Sequence, residues 1–242
     1  MTEKQLPELL ASMSAEEKAA QISQIPLSMC AGGFAEPTGP MVEQQLTPEQ
    51  VVLCGSLICD QMPDAEKFAG IVRDMTERHP HHIPPILMRD VIHGCRTVYP
   101  IPLALGCTFE ESLAEEMGAI SAEEAVACGY HATFAPMVDV VRDPRWGRVM
   151  ESPGESPALC GQMGAAMVRG LRKGGVAACA KHFAVHSGPE DLRHRFNAVS
   201  TPKDMEETYL PAFEACIIDA KVESVMGAYN RTNGEPCCGS KT

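Results

Sequence analysis

Short apolar runs alternate with amphipathic helical stretches along most of this 242-residue chain. The predicted strands cover residues 52–58, 84–90, 131–141, 176–185 and 222–230, and the predicted helices cover residues 6–22, 63–78, 108–129, 157–175 and 201–220. Nearly continuous apolar strands that alternate with helices are typical of a parallel sheet covered by helices. The length suits one α/β barrel domain or two small domains.

Polar side chains follow the predicted strands at the points where the strands end. They are Asp90, Asp139, the pair Lys181–His182 and the pair Tyr229–Asn230. In α/β barrels such positions line the ligand site, whereas an open dinucleotide-binding sheet needs a GxGxxG turn, and no such turn opens a helix here. We therefore predict the α/β class with a (β/α)8 TIM-type barrel. Because about five strands are predicted, we expect the barrel to be incomplete at its C-terminal end, with an N-terminal helix and loop over residues 1–47 and the partial barrel over residues 48–242.

The charge balance argues against a nucleic-acid partner. The chain has 20 basic and 32 acidic residues and a net charge of −12 at pH 7, whereas nucleic-acid binders present a basic face. No window approaches an uninterrupted apolar stretch long enough to span a bilayer, so we expect no membrane partner. The N-terminus has no cationic segment followed by an apolar run, so we expect no signal peptide and a cytoplasmic location.

The 11 cysteines are predicted to be reduced and mostly buried. An odd number scattered among apolar neighbours suits a reducing cytoplasm better than a disulfide framework. The clearest cases are Cys54, Cys59, Cys107, Cys128, Cys179 and Cys216. No CxxC pair has partners at zinc spacing, and the HPHH tract at residues 79–82 lies in a proline-rich turn that we interpret as a solvated loop. We therefore expect neither a metal nor another cofactor.

Four segments in one order resemble the barrel domain of glycoside hydrolase family 3. They are RDVIHGCRTVYPIPLALGCTFEESLAEEMG, ATFAPMVDVVRDPRWGRVMESPGESP, KHFAVHSGPE and SVMGAYNRTNGEPCCGS. The match runs from about residue 10 to the last residue, and several independent motifs in one order make it specific. The resemblance implies retaining hydrolysis of β-linked glycosides, with an Asp nucleophile and an acid/base carboxylate that often comes from a following domain.

The resemblance implies that five residues bind the terminal sugar. Asp90 would accept hydrogen bonds from two adjacent hydroxyls, Arg148 would donate from its guanidinium, and Lys181 with His182 would bind further hydroxyls of the same sugar. Tyr229 would lie close to the nucleophile. The plainer interpretations are a turn cap for Asp90, a surface lysine beside a core histidine, and ordinary packing for Tyr229. A buried ammonium is costly without an acid partner, and Asp90 is a candidate for that partner.

Other residues of these motifs have weaker predicted roles. Met226, Arg193 and His194 are predicted to line the pocket or its rim. One branch of the family, the β-N-acetylglucosaminidases, uses a His–Asp dyad in the loop after the KH pair, but VHSGPEDLRH departs from that pattern and the dyad is disfavoured. We interpret the rest of the arginine-rich motif as structural, with Arg142, Asp143 and Arg145 in a salt-bridge loop, Trp146 packed, and Glu151 paired with an arginine.

No Asp of this chain matches the turn that contains the family nucleophile. That residue lies in an SDW- or SDC-like turn further along the chain than NGEPCCGS, and Asp139 and Asp143 belong to other motifs. We therefore expect both catalytic carboxylates to lie outside this chain. Retaining hydrolysis needs both of them, so we expect the 242-residue polypeptide alone to be inactive.

The predicted function of the full-length protein is hydrolysis of terminal non-reducing β-D-glucosyl residues, with this chain supplying the sugar-binding groups. KHFAVHSGPE, FNAVS and EPCCGS resemble the xylosidase-like branch, so β-xylosidase/α-L-arabinofuranosidase activity is the alternative. A non-catalytic sugar-binding protein and a metal-dependent barrel hydrolase are further alternatives. The expected partner is a small glycoside or oligosaccharide.

Overall fold

The computed structural model describes residues 3–30, 46–59 and 64–241, and the molecule divides into two units, Met1–Arg89 and Asp90–Thr242. Most of the loop predicted to precede the barrel lies outside the described residues, and the domain boundary at residue 47 stays a prediction. No helix in the described ranges is long and apolar enough to cross a membrane.

Within its described residues, the first unit contains three parallel strands and four helices. The strands are Gln24–Pro26 (β1), Ser56–Ile58 (β2) and Ile86–Arg89 (β3), and the helices are Leu6–Ser12 (α1), Ala15–Gln21 (α2), Pro48–Leu53 (α3) and Ala65–Arg78 (α4), with 3-10 turns at Glu3–Gln5 and Leu27–Met29. Strand β2 pairs with both neighbours, so that Leu57 lies between Ile25 and Leu87. All three side chains are buried, and they form the apolar centre of this unit.

Two capping boxes change the predicted boundaries in this unit. The helix predicted over residues 6–22 is two helices, because the Ser14 hydroxyl accepts from the Glu17 backbone N–H at 3.1 Å and the Glu17 carboxylate accepts from the Ser14 backbone at 2.6 Å. For the strand predicted over residues 52–58, the predicted first residue was wrong. Thr47 and Gln50 cap α3 in the same way, so the residues up to Leu53 are helical and the strand begins only at Ser56.

The histidine tract at residues 79–82 is not the solvated loop that the sequence predicts. His79 is buried, and its Nδ1 accepts from the His81 backbone N–H at 3.1 Å. His81 is half-buried with its Nε2 3.6 Å from a Glu17 carboxylate oxygen, and His82 is exposed. The tract is anchored because His79 fills space in the core. Among the residues that the structure describes, no group of three or more His, Cys, Asp or Glu side chains has a metal-binding arrangement.

The second unit continues the alternation of helices and strands. Its helices are Pro102–Gly106 (α5), Glu111–Ala127 (α6), Pro157–Lys173 (α7), Pro202–Asp204 (α8) and Pro211–Glu214 (α9), and its strands are Ala132–Thr133 (β4), Cys179–Phe183 (β5), Asn197–Ala198 (β6), Ser224–Gly227 (β7), Arg231–Thr232 (β8) and Glu235–Pro236 (β9). Turns of 3-10 type occur at Val149–Glu151, Glu190–Leu192 and Cys237–Gly239, and π-helical turns at Met205–Tyr209 and Ala215–Asp219 extend α8 and α9 over the helix predicted at residues 201–220. Strands β5 and β7 are parallel. The small β6–β8–β9 sheet was not predicted.

The segment after β4 runs beside β5 although it is not a regular strand. Pro136 lacks a backbone N–H, which prevents a continuous ladder, so the strand predicted over residues 131–141 is regular only at Ala132–Thr133. Backbone bonds nevertheless join the two segments, from Lys181 N to Pro136 O at 3.1 Å and from Val138 N to Lys181 O at 2.9 Å. This pairing brings Asp139 opposite the end of β5.

The cysteines follow the predicted pattern in part. All 11 are free thiols, and those at Cys30, Cys54, Cys59, Cys160, Cys179 and Cys216 are buried. Of the cysteines expected to be buried, Cys107 is exposed and Cys128 is half-buried, because both lie at the ends of helices rather than in strands. Burial raises the pKa of the Cys216 thiol to about 12, so this side chain packs as an apolar group. The cytoplasmic location stays a prediction.

Helices α6 and α7 approach each other closely at glycines. A Cβ atom added to Gly170 would lie 2.1 Å from the Glu115 carbonyl oxygen, and one added to Gly174 would lie 2.6 Å from the Ala119 carbonyl oxygen. Both obstacles are backbone atoms of α6, which cannot move without displacing the helix. The glycines therefore set the spacing of this helix pair.

We expect Gly170→Ala to destabilise the protein by about 1–3 kcal/mol, because the new methyl group overlaps the α6 backbone. Gly70→Ala is the matched control, since Gly70 also lies inside a helix but has no atom within 4 Å of an added Cβ. The free energy of unfolding of this control is expected to rise by up to about 1 kcal/mol, because alanine has a higher helix propensity than glycine. Urea unfolding followed by circular dichroism gives both values. A gain of stability in Gly170→Ala would contradict the close packing.

Candidate functional site

A buried lysine and a buried histidine stand together at the end of β5. Lys181 and His182 are each 2% exposed. The Lys181 ammonium donates to Oδ1 of Asp90 at 2.5 Å, and the Asp90 side chain is 61% exposed. Burial of an ammonium is unfavourable unless a carboxylate compensates its charge. Asp90 supplies that compensation while it remains open to solvent.

The His182 imidazole is hydrogen-bonded to the carboxylate of Asp139, a contact that was not predicted. Oδ2 of Asp139 accepts a bond from His182 Nδ1 at 2.7 Å and a second bond from the His182 backbone N–H at 3.1 Å. Asp139 is buried. The resemblance gave no role to this residue, but its position at the end of the apolar run FAPMVD, as for Asp90 and Lys181, was a usable signal.

The Arg148 guanidinium joins His182 to a second carboxylate. Its Nε and Nη2 donate to the two oxygens of Glu151 at 2.8 and 2.6 Å, and its Nη1 lies 2.9 Å from His182 Nε2. A guanidinium has no acceptor, so it donates to Nε2 and the imidazole carries its proton on Nδ1. The predicted pairing of Glu151 with an arginine is therefore present in the structure.

The charges around His182 keep the imidazole neutral. Burial, together with the positive charges of Arg148 and Lys181, lowers the pKa of His182 to about 2. Burial opposes ionisation of Glu151 as well, but the Arg148 hydrogen bonds and charge outweigh it and hold the pKa of Glu151 below its usual value. Burial raises the pKa of Asp139 to about 7. The cluster thus contains two fixed cations and an uncharged imidazole between them.

A second buried histidine lies behind the first. The ring centroids of His186 and His182 are 4.5 Å apart, and Trp146 meets His186 edge-on at 5.8 Å. His186 Nδ1 lies 3.3 Å from the side-chain oxygen of Asn230. Trp146 is therefore packed in the interior, as predicted, and it supports the histidine pair rather than facing a ligand.

The exposed edge of the cluster is formed by Tyr229 and the loop after β5. The Tyr229 residue is 55% exposed, and its ring lies 6.4 Å from the His182 ring and 4.6 Å from the His194 ring, between centroids. Arg193 pairs with Glu190 in the same loop. The predicted rim residue His194 thus lies beside Tyr229, whereas Arg193 is held by a neighbour.

Several predicted structural roles can be compared directly with the contacts. Arg145 forms a bidentate pair with Asp143, from Nε to Oδ1 and from Nη2 to Oδ2, as expected for a salt-bridge loop. Met226 lies opposite Lys181 in the β5–β7 register, next to the site. Asp191 is exposed and, within the described residues, makes no hydrogen bond to His186 or His194.

The structure therefore brings the five predicted sugar contacts into one group. Hydrogen bonds connect Asp90 to Lys181 and Arg148 to His182, and ring contacts connect His182 to Tyr229. Asp139 was predicted to lie at a strand end but not to contact His182, and the buried position of His186 was not predicted. The roles of all these residues toward a ligand stay predictions.

We expect His186→Gln to reduce the loss of stability on acidification. Burial lowers the pKa of His186 to about 4, whereas a histidine in an unfolded chain has a pKa of about 6.5. The unfolded chain therefore takes up a proton that the folded protein does not. The stability contributed by neutral His186 is complete above about pH 6.5 and is lost toward pH 4, by up to about 1.4 kcal/mol per pH unit.

Urea unfolding at about pH 7.5 and about pH 5 measures this difference. Asp139 has the opposite effect on the free energy of unfolding, because its raised pKa favours the folded state as the pH falls below about 7. The variant must therefore be compared with the parent protein at each pH. His194→Gln, at an exposed position, is the control. An unchanged pH dependence in His186→Gln would contradict the prediction.

A family model described as the glycosyl hydrolase family 3 N terminal domain matches residues 14–242. Among curated proteins, the chain is 38% identical over 165 residues to beta-xylosidase/alpha-L-arabinofuranosidase 2 of Medicago sativa subsp. varia, and 38% identical over 178 residues to xylan 1,4-beta-xylosidase of Xylanibacter ruminicola. Each alignment covers 62% of this chain and 21% of the relative. The chain thus spans about a fifth of the length of these relatives.

Solved structures are similar over nearly the whole chain. The beta-glucosidase of Listeria innocua, solved in complexes with laminaribiose and with glucose, is 38% identical, with a TM-score of 0.87 over 98% of this chain and 34% of that chain. The exo-1,3/1,4-beta-glucanase of a Pseudoalteromonas species is 28% identical, with a TM-score of 0.78 over 97% of this chain and 31% of that chain. The predicted α/β fold class, a TIM-barrel type, is confirmed.

Proposed function

The chain belongs to glycosyl hydrolase family 3, and from that premise we propose that it binds the terminal non-reducing β-D-glucosyl unit in a retaining β-glucosidase. Asp90, Arg148, Lys181, His182 and Tyr229 are the proposed sugar-binding residues. The observation that carries the proposal is the network of bonds that holds two largely buried cations beside an exposed carboxylate.

The network leaves hydrogen-bonding groups available for a neutral ligand. Lys181 has three N–H donors and gives one to Asp90, and Arg148 has five and gives three to Glu151 and His182. The second oxygen of Asp90 accepts no bond in the described part of the chain, and the Tyr229 side chain is exposed. Sugars are recognised by such sets of donors and acceptors on a rigid frame. The unused groups therefore suit adjacent hydroxyls.

The carboxylates of this cluster are proposed to bind and position, not to attack. Asp90 is bonded to Lys181, Glu151 to Arg148, and Asp139 to His182. Asp139 is also inaccessible to a substrate, because it is buried. Retaining hydrolysis needs an accessible nucleophile and an acid/base carboxyl about 5 Å apart. We propose that both are contributed from outside residues 1–242.

The glucoside is preferred over the xyloside because the Listeria innocua beta-glucosidase is similar over 98% of this chain. The second candidate is β-xylosidase/α-L-arabinofuranosidase activity, which is favoured by the curated relatives at the same identity over 62% of the chain. The two sugars differ by one hydroxymethyl group. A non-catalytic sugar-binding role is a further alternative.

A substrate panel separates these candidates. We expect the longest polypeptide that the gene encodes, if it extends past residues 1–242, to hydrolyse nitrophenyl β-glucoside with a higher kcat/KM than the β-xyloside or α-L-arabinoside. We expect residues 1–242 alone to give no turnover. Preference for the xyloside would establish the second candidate. Turnover by residues 1–242 that is lost on substitution of Asp139 or Asp191 would refute the assignment of catalysis to groups outside this segment.

We expect Lys181→Met and Arg148→Met to weaken binding of D-glucose by about 10- to 100-fold, because a hydrogen bond to a charged group contributes about 1.5–3 kcal/mol. Isothermal titration calorimetry on the polypeptide of residues 1–242 measures this affinity. Lys203→Met is the control, since Lys203 is exposed and only loosely paired with Glu207 at 3.8 Å. Equal affinities in all three variants would rule out the proposed site, provided that their circular dichroism spectra match the parent.

A further inference from the structure

We propose that Asp139 is a positioning residue that fixes the tautomer of His182 and thereby the direction of the Arg148 guanidinium. The proposal rests on the proposed function only where it concerns sugar affinity. It goes beyond that function because Asp139 contacts no ligand and acts through two other side chains.

The main chain holds Asp139 rigidly on both sides. The Ser152 hydroxyl donates to the Asp139 carbonyl oxygen at 2.5 Å, and Val138 N donates to the Lys181 carbonyl at 2.9 Å. On the other side, Val141 N donates to the Gly154 carbonyl at 3.0 Å. The carboxylate therefore has a defined position behind the imidazole of His182, which is what a positioning residue requires.

The two bonds from His182 to one oxygen determine which ring nitrogen holds the proton. Oδ2 of Asp139 accepts from both the backbone N–H and the ring Nδ1, so Nδ1 must be a donor. Nε2 is then an acceptor in the neutral ring, and it meets the Arg148 Nη1–H at 2.9 Å. The opposite tautomer would set one N–H against another at that distance. Asp139 thus selects the only tautomer that can hold Arg148.

The second oxygen of the Asp139 carboxyl, Oδ1, is not held in the same way. This oxygen is buried and, within the described residues, has no hydrogen-bond partner, and the same is true of His186 Nε2. Asn230 donates both amide hydrogens, to the carbonyls of Val185 and Arg231 at 2.8 Å each, so its oxygen accepts from His186 Nδ1. His186 Nε2 is therefore a bare acceptor.

This arrangement predicts different outcomes for two substitutions at one position. An asparagine can direct its amide oxygen toward the two N–H groups of His182, so Asp139→Asn retains the tautomer. An alanine leaves Nδ1 without an acceptor, so that only the Arg148 bond still favours the Nδ1–H form and the preference weakens. The required property is an acceptor at one point and not a negative charge, which distinguishes positioning from simple charge compensation.

The first test uses the parent polypeptide without any sugar. Protein labelled with 15N-histidine is examined by NMR between about pH 5 and about pH 8, and His182 is assigned by the signal missing from His182→Gln. We expect Nδ1 to be protonated and Nε2 to be bare over the whole range. An Nε2–H form, a mixture of the two forms, or a titration near the ordinary histidine pKa would overturn the proposal.

The second test compares variants. We expect Asp139→Ala to give a mixture of tautomers and to weaken D-glucose binding by about tenfold or more, and Asp139→Asn to restore both toward the parent values. Asp143→Ala is the control, because Asp143 pairs with exposed Arg145 in the same segment. An unchanged His182 tautomer in Asp139→Ala, or its loss in Asp139→Asn, would refute the proposal.

The positioning role of Asp139 and the proposed sugar-binding function are tested separately by these measurements. If the tautomer responds as expected but the parent protein binds no sugar, the positioning role of Asp139 stands and the proposed function fails. If Asp139→Ala does not fold, the parent spectrum and Asp139→Asn still decide the question.

Discussion

The burial of two cations beside one strand end is the constraint on which the site depends. Lys181 and Arg148 are largely removed from water, so each needs a carboxylate, and Asp90 and Glu151 provide them. Their charges in turn make a protonated imidazole unfavourable between them, which keeps His182 neutral. A neutral histidine can accept a bond from the guanidinium, and this acceptance ties the two halves of the cluster together.

The scaffold makes these contacts compatible with one another. The segment that contains Asp139 pairs with β5 through backbone bonds, although Pro136 prevents a regular strand. The chain passes Arg148 and then returns, so that the Ser152 hydroxyl donates to the Asp139 carbonyl oxygen. Residues far apart along the chain therefore meet because two neighbouring segments share a register. This is the usual way in which barrel strands bring polar groups to one end.

The α/β class and the grouping of Lys181, His182 and Arg148 could be predicted from the sequence, because apolar periodicity and ordered motifs are local signals. The sequence did not reveal that Asp139 would be the partner of His182, since a hydrogen-bond partner 43 positions away depends on strand register. The buried position of His79 and the helix break at Ser14 were missed for related reasons. A core contact in the first case and a capping box in the second outweighed the average preference of the segment.

The exposure of Asp90 has a consequence for how a ligand could enter. One carboxylate oxygen is engaged by the buried ammonium, while most of the side chain faces solvent. An incoming hydroxyl could exchange with water at the other oxygen and leave the ion pair intact. The interior would then need no rearrangement on occupancy. The desolvation cost of entry would fall mainly on one surface carboxylate.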